Sequence, residues 1–160
     1  MKYRFIVVGI ALCFSSMPVH SQVNLKKTAM AWLETLNKHD TVSLGSFYAA
    51  DVEVESSNWD GIKKGRSEAV TVYTRYFMGT PSLAHVLKHI YISGDHVILE
   101  YVSSGIFEHP EPGTPDYMKG KKYELKNCTI LSFKNGKIIR QVNYFDQVAF
   151  LRQVGFFENR

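Results

Sequence analysis

One carboxylate near the end of the chain, Asp146, stands where an apolar strand gives way to a short apolar helix, in the sequence NYFDQVAFLRQVGFF. Burial beside Phe145 and Phe150 would let it act as a general acid or base, because a desolvated carboxyl group holds its proton near neutral pH. At a helix start it would instead accept hydrogen bonds from the first-turn amides. The sequence therefore offers two roles for Asp146, a catalyst and a helix cap.

Polar side chains that could orient a substrate recur along two predicted strands. Gln141 and Asn143 share one face of the last strand, and Tyr101 and Ser103 share one face of an earlier strand. Residues two apart in a strand point the same way. Amides there could orient a carbonyl group, and hydroxyls could donate to a developing enolate oxygen. The alternative is that these side chains hydrogen-bond to one another or to water.

Aromatic side chains could form the walls of a binding site. Trp59 lies in a turn, and Tyr73 and Phe77 recur on one face of a predicted helix. Such rings could stack on a flat ring substrate. They could equally well close one end of the fold by packing on each other.

Metal chemistry has weak support in the sequence. His85 and His89 are in a predicted strand, where residues four apart share a face at about 13 Å. One metal ion cannot bridge that distance. If Cys13 leaves with an N-terminal segment, only Cys128 remains, which excludes an intramolecular disulfide and a metal site built on thiolates. We therefore expect no metal site.

The N-terminus has the form of an export signal. Lys2 and Arg4 precede the apolar run FIVVGIALCF and the polar stretch SSMPVHSQ. The pattern predicts a signal peptide over residues 1–21 and a single domain over residues 22–160. An apolar run of about ten residues is too short to span a bilayer, so we expect no stable membrane insertion after cleavage. The expected location is periplasmic or secreted.

The charge of the chain argues against nucleic-acid binding. The sequence has 19 Lys and Arg against 15 Asp and Glu, and two of the basic residues lie in the predicted signal. The cluster Lys119, Lys121 and Lys122 carries no interleaved aromatic residues and is typical of a solvated loop. The expected partner is a small molecule.

Helices come first in the predicted fold and long strands follow. Helical spacing and capping residues, Asn24 and Ser67 among them, predict three helices, and alternation predicts a strand between the second and third. The helical segments are LKKTAMAWLETLNKHD, TVSLGSFYAA and SEAVTVYTRYFMG, and the early strand is DVEVESS. After Pro81 the pattern changes to strict alternation.

Four long strands follow, with Gly94-Asp95 and Asn135-Gly136 as tight turns. They are LAHVLKHIYIS, HVILEYVSSGIFEH, KKYELKNCTILSFK and KIIRQVNYFD. The proline-rich connection 110–120 between the second and third of them predicts a mobile flap. The inner faces should carry Val97, Leu99, Tyr101, Ser103 and Phe107 on one strand and Ile139, Gln141, Asn143 and Phe145 on another. The class is α+β.

The order of these segments resembles the SnoaL-like polyketide and ester cyclases of the nuclear transport factor 2-like superfamily. The residues that carry the resemblance include FYAADVEVE, WDGIKKGRSEAVTVYTRYF, FKNGKIIRQVNYFD and FLRQVGF. The resemblance implies a cone-shaped α+β barrel with an apolar pocket and a homodimer through the outer sheet face. It also implies chemistry without metal or cofactor, with Asp146 at a recurrent acidic position.

Two branches of that superfamily differ from this chain at positions that matter. The epoxide-hydrolase branch places an Arg and two Asp residues where this chain has Tyr101, Ser103 and Asn143. None of these three can serve as that charged acid and base. Epoxide hydrolysis is therefore not expected. Many ester-cyclase relatives carry a His-Trp pair where this chain has Gln141 and Val142.

The expected function is binding of a small apolar or aromatic molecule in the cone of an exported domain. An isomerase- or cyclase-type proton transfer could accompany binding, with Asp146 as acid or base and Asn143, Gln141 and Tyr101 holding a carbonyl. The alternative is a non-catalytic ligand-binding or dimerisation module. A neutral pocket, with Asp146 engaged by backbone amides, would favour the module.

Overall fold

The computed structural model of the chain describes residues 19–57, 61–109, 111 and 113–158. Most of the predicted signal peptide lies outside the described residues, and so does Trp59. The cleavage site and the role of Trp59 stay predictions.

Helices and strands follow one another in the predicted order along the described residues. The helices are α1 Val19–Asn37, α2 Thr41–Leu44, α3 Arg66–Gly79 and α4 Gln147–Gln153. The strands are β1 Tyr48–Ser56, β2 Lys63–Lys64, β3 Ala84–Ser93, β4 His96–Ile106, β5 Lys122–Lys134 and β6 Lys137–Phe145. The four long predicted strands are confirmed to within three residues at each end.

The N-terminal helix begins earlier than its predicted cap. Asn24 lies inside α1, and its backbone carbonyl accepts a hydrogen bond from Thr28 Oγ1 at 2.9 Å. The residues before Asn24 continue the helix, so the cap prediction was wrong. Helical spacing of Leu25, Ala29, Trp32, Leu33 and Leu36 predicts one apolar face; Leu25 is partly buried against the core, and the other four are buried.

The next two helices begin at different kinds of cap residue. Asp40 caps α2, and its carboxylate accepts from the Ser43 amide at 2.9 Å. The cap of α3 is Gly65 rather than Ser67. Gly65 has a φ of 96°, and its amide donates to the Val52 carbonyl at 2.8 Å, so the chain turns from β2 into the helix at a conformation that favours glycine.

The second predicted helix is shorter than expected. A single 3-10 turn, Gly45–Phe47, follows α2, and the chain is already a strand at Tyr48. Tyr48 is fully buried. Its side chain reaches the core from β1, which the helical prediction over residues 41–50 did not foresee.

Six strands form one curved sheet in the order β2-β1-β6-β5-β4-β3. β1 pairs with β6 in parallel, and the other pairs are antiparallel. The two predicted tight turns are confirmed by positive φ values of 60° at Gly94, 51° at Asn135 and 74° at Gly136. The sheet stays open, with β2 and β3 as its edges, and the α+β class is confirmed.

The core lies between the inner face of the sheet and the helices α1 and α3. The inner face of β4 is as predicted, because Val97, Leu99, Tyr101 and Ser103 are buried. On β6 the prediction for Ile139 was wrong. The pairing of β5 with β6 shifts between Ser132 and Phe133, which turns Ile138 inward instead.

A second irregularity decides where two histidines point. The pairing of β3 with β4 shifts between Leu87 and His89. His85 is therefore inside, with 9% of its surface exposed, whereas His89 lies on the surface. The expectation that they share one face was wrong, because a bulge reverses the alternation.

The connection between β4 and β5 is held at several points. Met118, in a 3-10 turn over Asp116–Met118, is buried, and the Gly120 amide donates to the Phe107 carbonyl at 2.8 Å. Glu111 forms a bidentate ion pair with Arg75 of α3, in which Nε and Nη2 of the arginine each lie 2.7 Å from a carboxylate oxygen. This segment is anchored to α3 on its exposed side.

Candidate functional site

A cavity of about 200 Å³ opens between the inner face of the sheet, α3 and α4. Every strand but β2 contributes to its wall. The lining residues are Ser56, Tyr73, Tyr76, Thr80, Leu83, His85, Tyr101, Ser103, Phe107, Tyr123, Leu125, Asn127, Asn143, Phe145, Gln147 and Phe150. An apolar cavity of about 150 Å³ can hold benzene, so this one has room for a molecule somewhat larger than one aromatic ring.

Aromatic rings form much of the wall. Phe150 of α4 meets Phe107 and Tyr123 edge to face, at ring-centre distances of 5.8 and 5.2 Å. On the opposite side Tyr73 meets Tyr76 edge to face at 6.1 Å. Such contacts hold the rings in defined orientations, so the wall offers pre-arranged aromatic surface to a ligand.

The cavity carries no formal charge at neutral pH. Among the described residues that line it there is no Asp, Glu, Lys or Arg. Burial lowers the pKa of His85 to about 4, and the nearby His39 adds to this effect. Burial also raises the pKa of Tyr101 to about 12. Both side chains are neutral across the physiological range.

Gln141 is part of a hydrogen-bond network behind the wall. Its Oε1 accepts from Tyr48 Oη at 2.7 Å, and its Nε2 donates to Tyr73 Oη at 2.6 Å and to Asn143 Oδ1 at 3.2 Å. Trp32 Nε1 donates in turn to Tyr48 Oη at 2.9 Å. Gln141 is fully buried and does not line the cavity. Its polar atoms are all satisfied internally.

Asn143 connects this network to the cavity. Its Oδ1 accepts from Thr129 Oγ1 at 2.8 Å as well as from Gln141. Thr129 Oγ1 lies 2.9 Å from Tyr101 Oη; since the threonine proton goes to Asn143, the tyrosine donates. The Asn143 side chain also forms a hydrogen bond with Tyr73, so the network holds this half-buried amide in place where it lines the cavity.

A second polar group lies on the β3 and β4 side of the cavity. His85 Nδ1 is 2.8 Å from Ser103 Oγ, and Asn127 Nδ2 donates to the same Oγ at 2.9 Å. Among the described residues, neither the buried His85 Nε2 nor the buried Oε1 of Gln147 on α4 has a hydrogen-bond partner. Buried polar atoms without partners are uncommon in native proteins.

Asp146 occupies the cap position that the sequence offered as one alternative. Its carboxylate accepts from the Ala149 amide at 2.9 Å at the start of α4, and the residue is exposed. It does not line the cavity. A catalytic role for Asp146 stays a prediction, and no cavity contact in the structure supports it.

The other predicted site residues divide into three groups. Tyr73, Tyr101, Ser103 and Asn143 line the cavity. Phe77 lies in the core, stacked on His39 at a ring-centre distance of 4.2 Å, and Gln141 lies behind the wall. Trp59 is outside the described residues. The structure thus brings together four of the seven predicted ligand-binding residues.

Sequence reasoning missed several polar wall residues, among them His85, Asn127 and Gln147. The alternation Tyr123, Leu125, Asn127 and Thr129 along β5 is a signal that could have found Asn127, because these residues share the inner face. His85 was hidden by the bulge. Nothing in the sequence around Gln147 indicates that a first-turn helix residue turns inward.

Two general features bear on the kind of site. No helix in the described part of the chain is long and apolar enough to cross a membrane. Within the same ranges, no three side chains of the types His, Cys, Asp and Glu come close enough together to hold a metal ion. The polar groups of the cavity are amides, hydroxyls and one neutral imidazole.

The curved sheet with helices on its inner face is the ketosteroid isomerase-like fold. A protein of that fold from Catenulispora acidiphila, solved in complex with trimethylamine, is 21% identical; the match covers 81% of this chain and 92% of that chain, with a TM-score of 0.68. A protein from Xanthomonas campestris, provisionally named as a polyketide cyclase, is 25% identical over 82% of this chain and 97% of that chain, with a TM-score of 0.70.

The family of the chain follows from its sequence match. The SnoaL-like polyketide cyclase family matches residues 26–154, and the chain belongs to this family. A member from Jannaschia, also provisionally named, reaches a TM-score of 0.73 at 15% identity, covering 82% of this chain and 92% of that chain. No curated protein gave a significant match.

Proposed function

We propose that the chain binds a small, neutral, mainly aromatic molecule in its cavity. The observation that carries this proposal is a neutral cavity of about 200 Å³, walled by aromatic rings, with the amide of Asn143 in its wall. Ligand sites typically combine apolar walls with a few placed polar groups that fix orientation. The Asn143 amide would donate a hydrogen bond to an acceptor atom of the ligand.

Binding without turnover is favoured by the electrostatics of the wall. An acid-base enzyme needs a proton-transfer group within hydrogen-bond reach of its substrate. Asp146 is exposed and engaged with the Ala149 amide, and the described lining residues include no carboxylate. These two features support a non-catalytic ligand-binding module.

A cofactor-free isomerase- or cyclase-type reaction is the second candidate, and family membership favours it. In that case Asn143 and Tyr101 would hold the carbonyl group of a carbon acid. Asp146 would have to leave its cap to reach the substrate. Substitution of Asp146 separates the two candidates, as described below.

Export and self-association belong to the same proposal. The pattern of residues 1–21 supports export to the periplasm or the medium. The outer face of the sheet exposes Val86, Tyr91 and Tyr144, which supports a homodimer through that face. A dimer would leave the cavity accessible, because the cavity lies on the inner side of the sheet.

Native mass spectrometry of protein purified from its source tests ligand binding directly. We expect a retained neutral molecule of small mass on the wild-type chain. Leu125→Trp fills the cavity from its wall and should abolish retention, whereas Val148→Trp, on the exposed side of α4, should not. Retention by the Leu125→Trp chain, or repeated absence of any molecule on the wild type, would contradict the proposal.

A further inference from the structure

Both the backbone and the ring of His85 are held in place by neighbouring side chains. Its backbone lies on the free edge of β3, where the Asn37 side chain takes the place of a neighbouring strand. The His85 amide donates to Asn37 Oδ1 at 2.7 Å, and Asn37 Nδ2 donates to the His85 carbonyl at 2.9 Å. The ring meets Tyr101 edge to face at 5.3 Å. The imidazole is therefore fixed in both position and orientation.

The hydrogen bonds around Ser103 determine which nitrogen of His85 carries the proton. Ser103 Oγ accepts from Asn127 Nδ2 at 2.9 Å and lies 2.8 Å from His85 Nδ1. If Nδ1 carried the proton, Ser103 would accept twice, and its own hydroxyl proton would have no acceptor among the described residues. The serine therefore donates to Nδ1, and the proton of the neutral ring is on Nε2.

The orientation of Asn127 supports this assignment. Its Nδ2 donates to the Leu125 carbonyl at 2.9 Å as well as to Ser103. The amide nitrogen thus has both of its protons engaged, and it must face the serine. A series of hydrogen bonds therefore runs from Asn127 through Ser103 to His85, with each residue donating to the next.

This series of hydrogen bonds ends at the Nε2–H group of His85, which has no partner among the described residues. His85 Nε2 is buried, and no described atom accepts from it. A buried donor left unsatisfied lowers stability, so most such groups in native proteins have a protein, water or ligand partner. His85, Ser103 and Asn127 all line the cavity.

We infer that His85 Nε2–H donates a hydrogen bond to a neutral acceptor oxygen, such as a ketone or ester carbonyl, of the molecule bound in the cavity. This inference rests on the function proposed above and deepens it by naming the ligand class. An anionic ligand is disfavoured, because no Lys or Arg is among the described lining residues. The lowered pKa of His85 agrees, since it keeps the ring neutral.

Ser103 and Asn127 are positioning residues in this arrangement. They do not contact the carbonyl, but they fix the proton on the nitrogen that does. The ligand is expected to be an aromatic or alicyclic carbonyl compound of roughly ten non-hydrogen atoms, as the cavity volume suggests.

Calorimetric titration with two matched probes tests the inference. Acetophenone carries a carbonyl oxygen, and α-methylstyrene carries a methylene group in the same place. We expect the wild type to bind acetophenone about tenfold more tightly, which is the effect of one buried hydrogen bond. His85→Phe keeps a ring but removes the donor, and it should bring the two affinities together.

Matched controls guard against indirect effects. His89→Phe changes a histidine on the same strand that is exposed, and it should keep the tenfold preference. Ser103→Ala removes the group that fixes the proton and should reduce the preference, even if His85→Phe does not fold. The ¹⁵N shifts of the His85 ring in the wild type should show the proton on Nε2, independently of any ligand.

The outcomes separate this inference from the proposed function. Equal binding of both probes by the wild type, or a preference unchanged in His85→Phe and Ser103→Ala, would overturn the inference and leave ligand binding intact. Protonation of Nδ1 would also overturn it. If neither probe binds to any variant, the proposed function fails and the inference fails with it.

Discussion

The carboxylate of Asp146 accepts a hydrogen bond from the Ala149 amide at 2.9 Å and so caps α4. An acidic residue at this place in the sequence looks like the catalyst of a proton-transfer enzyme. Its exposed position and its backbone partner instead give it the geometry of a helix cap. The distinction has consequences that can be measured.

Substitution of Asp146 should change stability more than ligand binding. Asp146→Ala should lower the free energy of unfolding by about 1 kcal/mol, the usual cost of losing a cap. Asp146→Asn keeps an accepting oxygen and should cost less. Urea denaturation measures both, and probe titration should show unchanged affinity. Loss of binding or turnover in Asp146→Asn, with stability retained, would make Asp146 a member of the functional site.

Gln141 should be important for folding. Gln141→Leu removes the acceptor of the fully buried Tyr48 hydroxyl and the donor to Tyr73. Leaving such groups unsatisfied should lower the free energy of unfolding by about 2 to 3 kcal/mol. Asn24→Leu, an exposed amide on α1, is the control and should cost under about 1 kcal/mol. Similar losses in the two variants would show that the network contributes little.

Stability should depend on pH through His85. Its pKa is about 4 in the folded chain against an ordinary value of 6.5, because burial and the nearby His39 disfavour the charged ring. Between these values the unfolded chain binds more protons, so the free energy of unfolding should fall as pH drops from about 6.5 to 4. The loss should approach about 3 kcal/mol.

Urea denaturation at several pH values measures this effect, and the comparison with variants isolates it. His85→Gln should flatten the slope in that window, whereas His89→Gln, on the exposed face of the same strand, should keep it. No Asp, Glu, Lys or Arg is among the described lining residues around His85. The neighbouring charge that lowers the pKa of His85 is therefore that of His39. A slope unchanged in His85→Gln would assign the dependence to other groups.

Sequence patterns predicted the fold correctly wherever the alternation of inward and outward residues along a strand was unbroken. Strict alternation placed Tyr101 and Ser103 inside β4, and the Asn135-Gly136 pair formed its turn. The patterns failed where one extra residue reversed the alternation. Bulges turned Ile138 inward in place of Ile139 and separated His85 from His89, and only the pairing of neighbouring strands determines where such bulges fall.

The candidate site was harder to predict than the fold. Asn143 and Gln141 both carry amides, and their spacing puts them on the same face of β6. Asn143 lines the cavity, however, whereas Gln141 is hydrogen-bonded to Tyr48 and Tyr73 behind the wall. That difference depends on which side chains arrive from β1 and α3. Long-range partners of this kind leave no trace in the local pattern of β6.

The affinity of the purified chain for acetophenone tests the central claim most directly. The account predicts saturable binding of one molecule per chain to the wild type and to Val148→Trp. It predicts loss of that binding in Leu125→Trp, where the added ring fills the cavity, and weaker binding in Asn143→Leu. Binding of equal strength to the wild type and Leu125→Trp, or no saturable binding to the wild type, would contradict it.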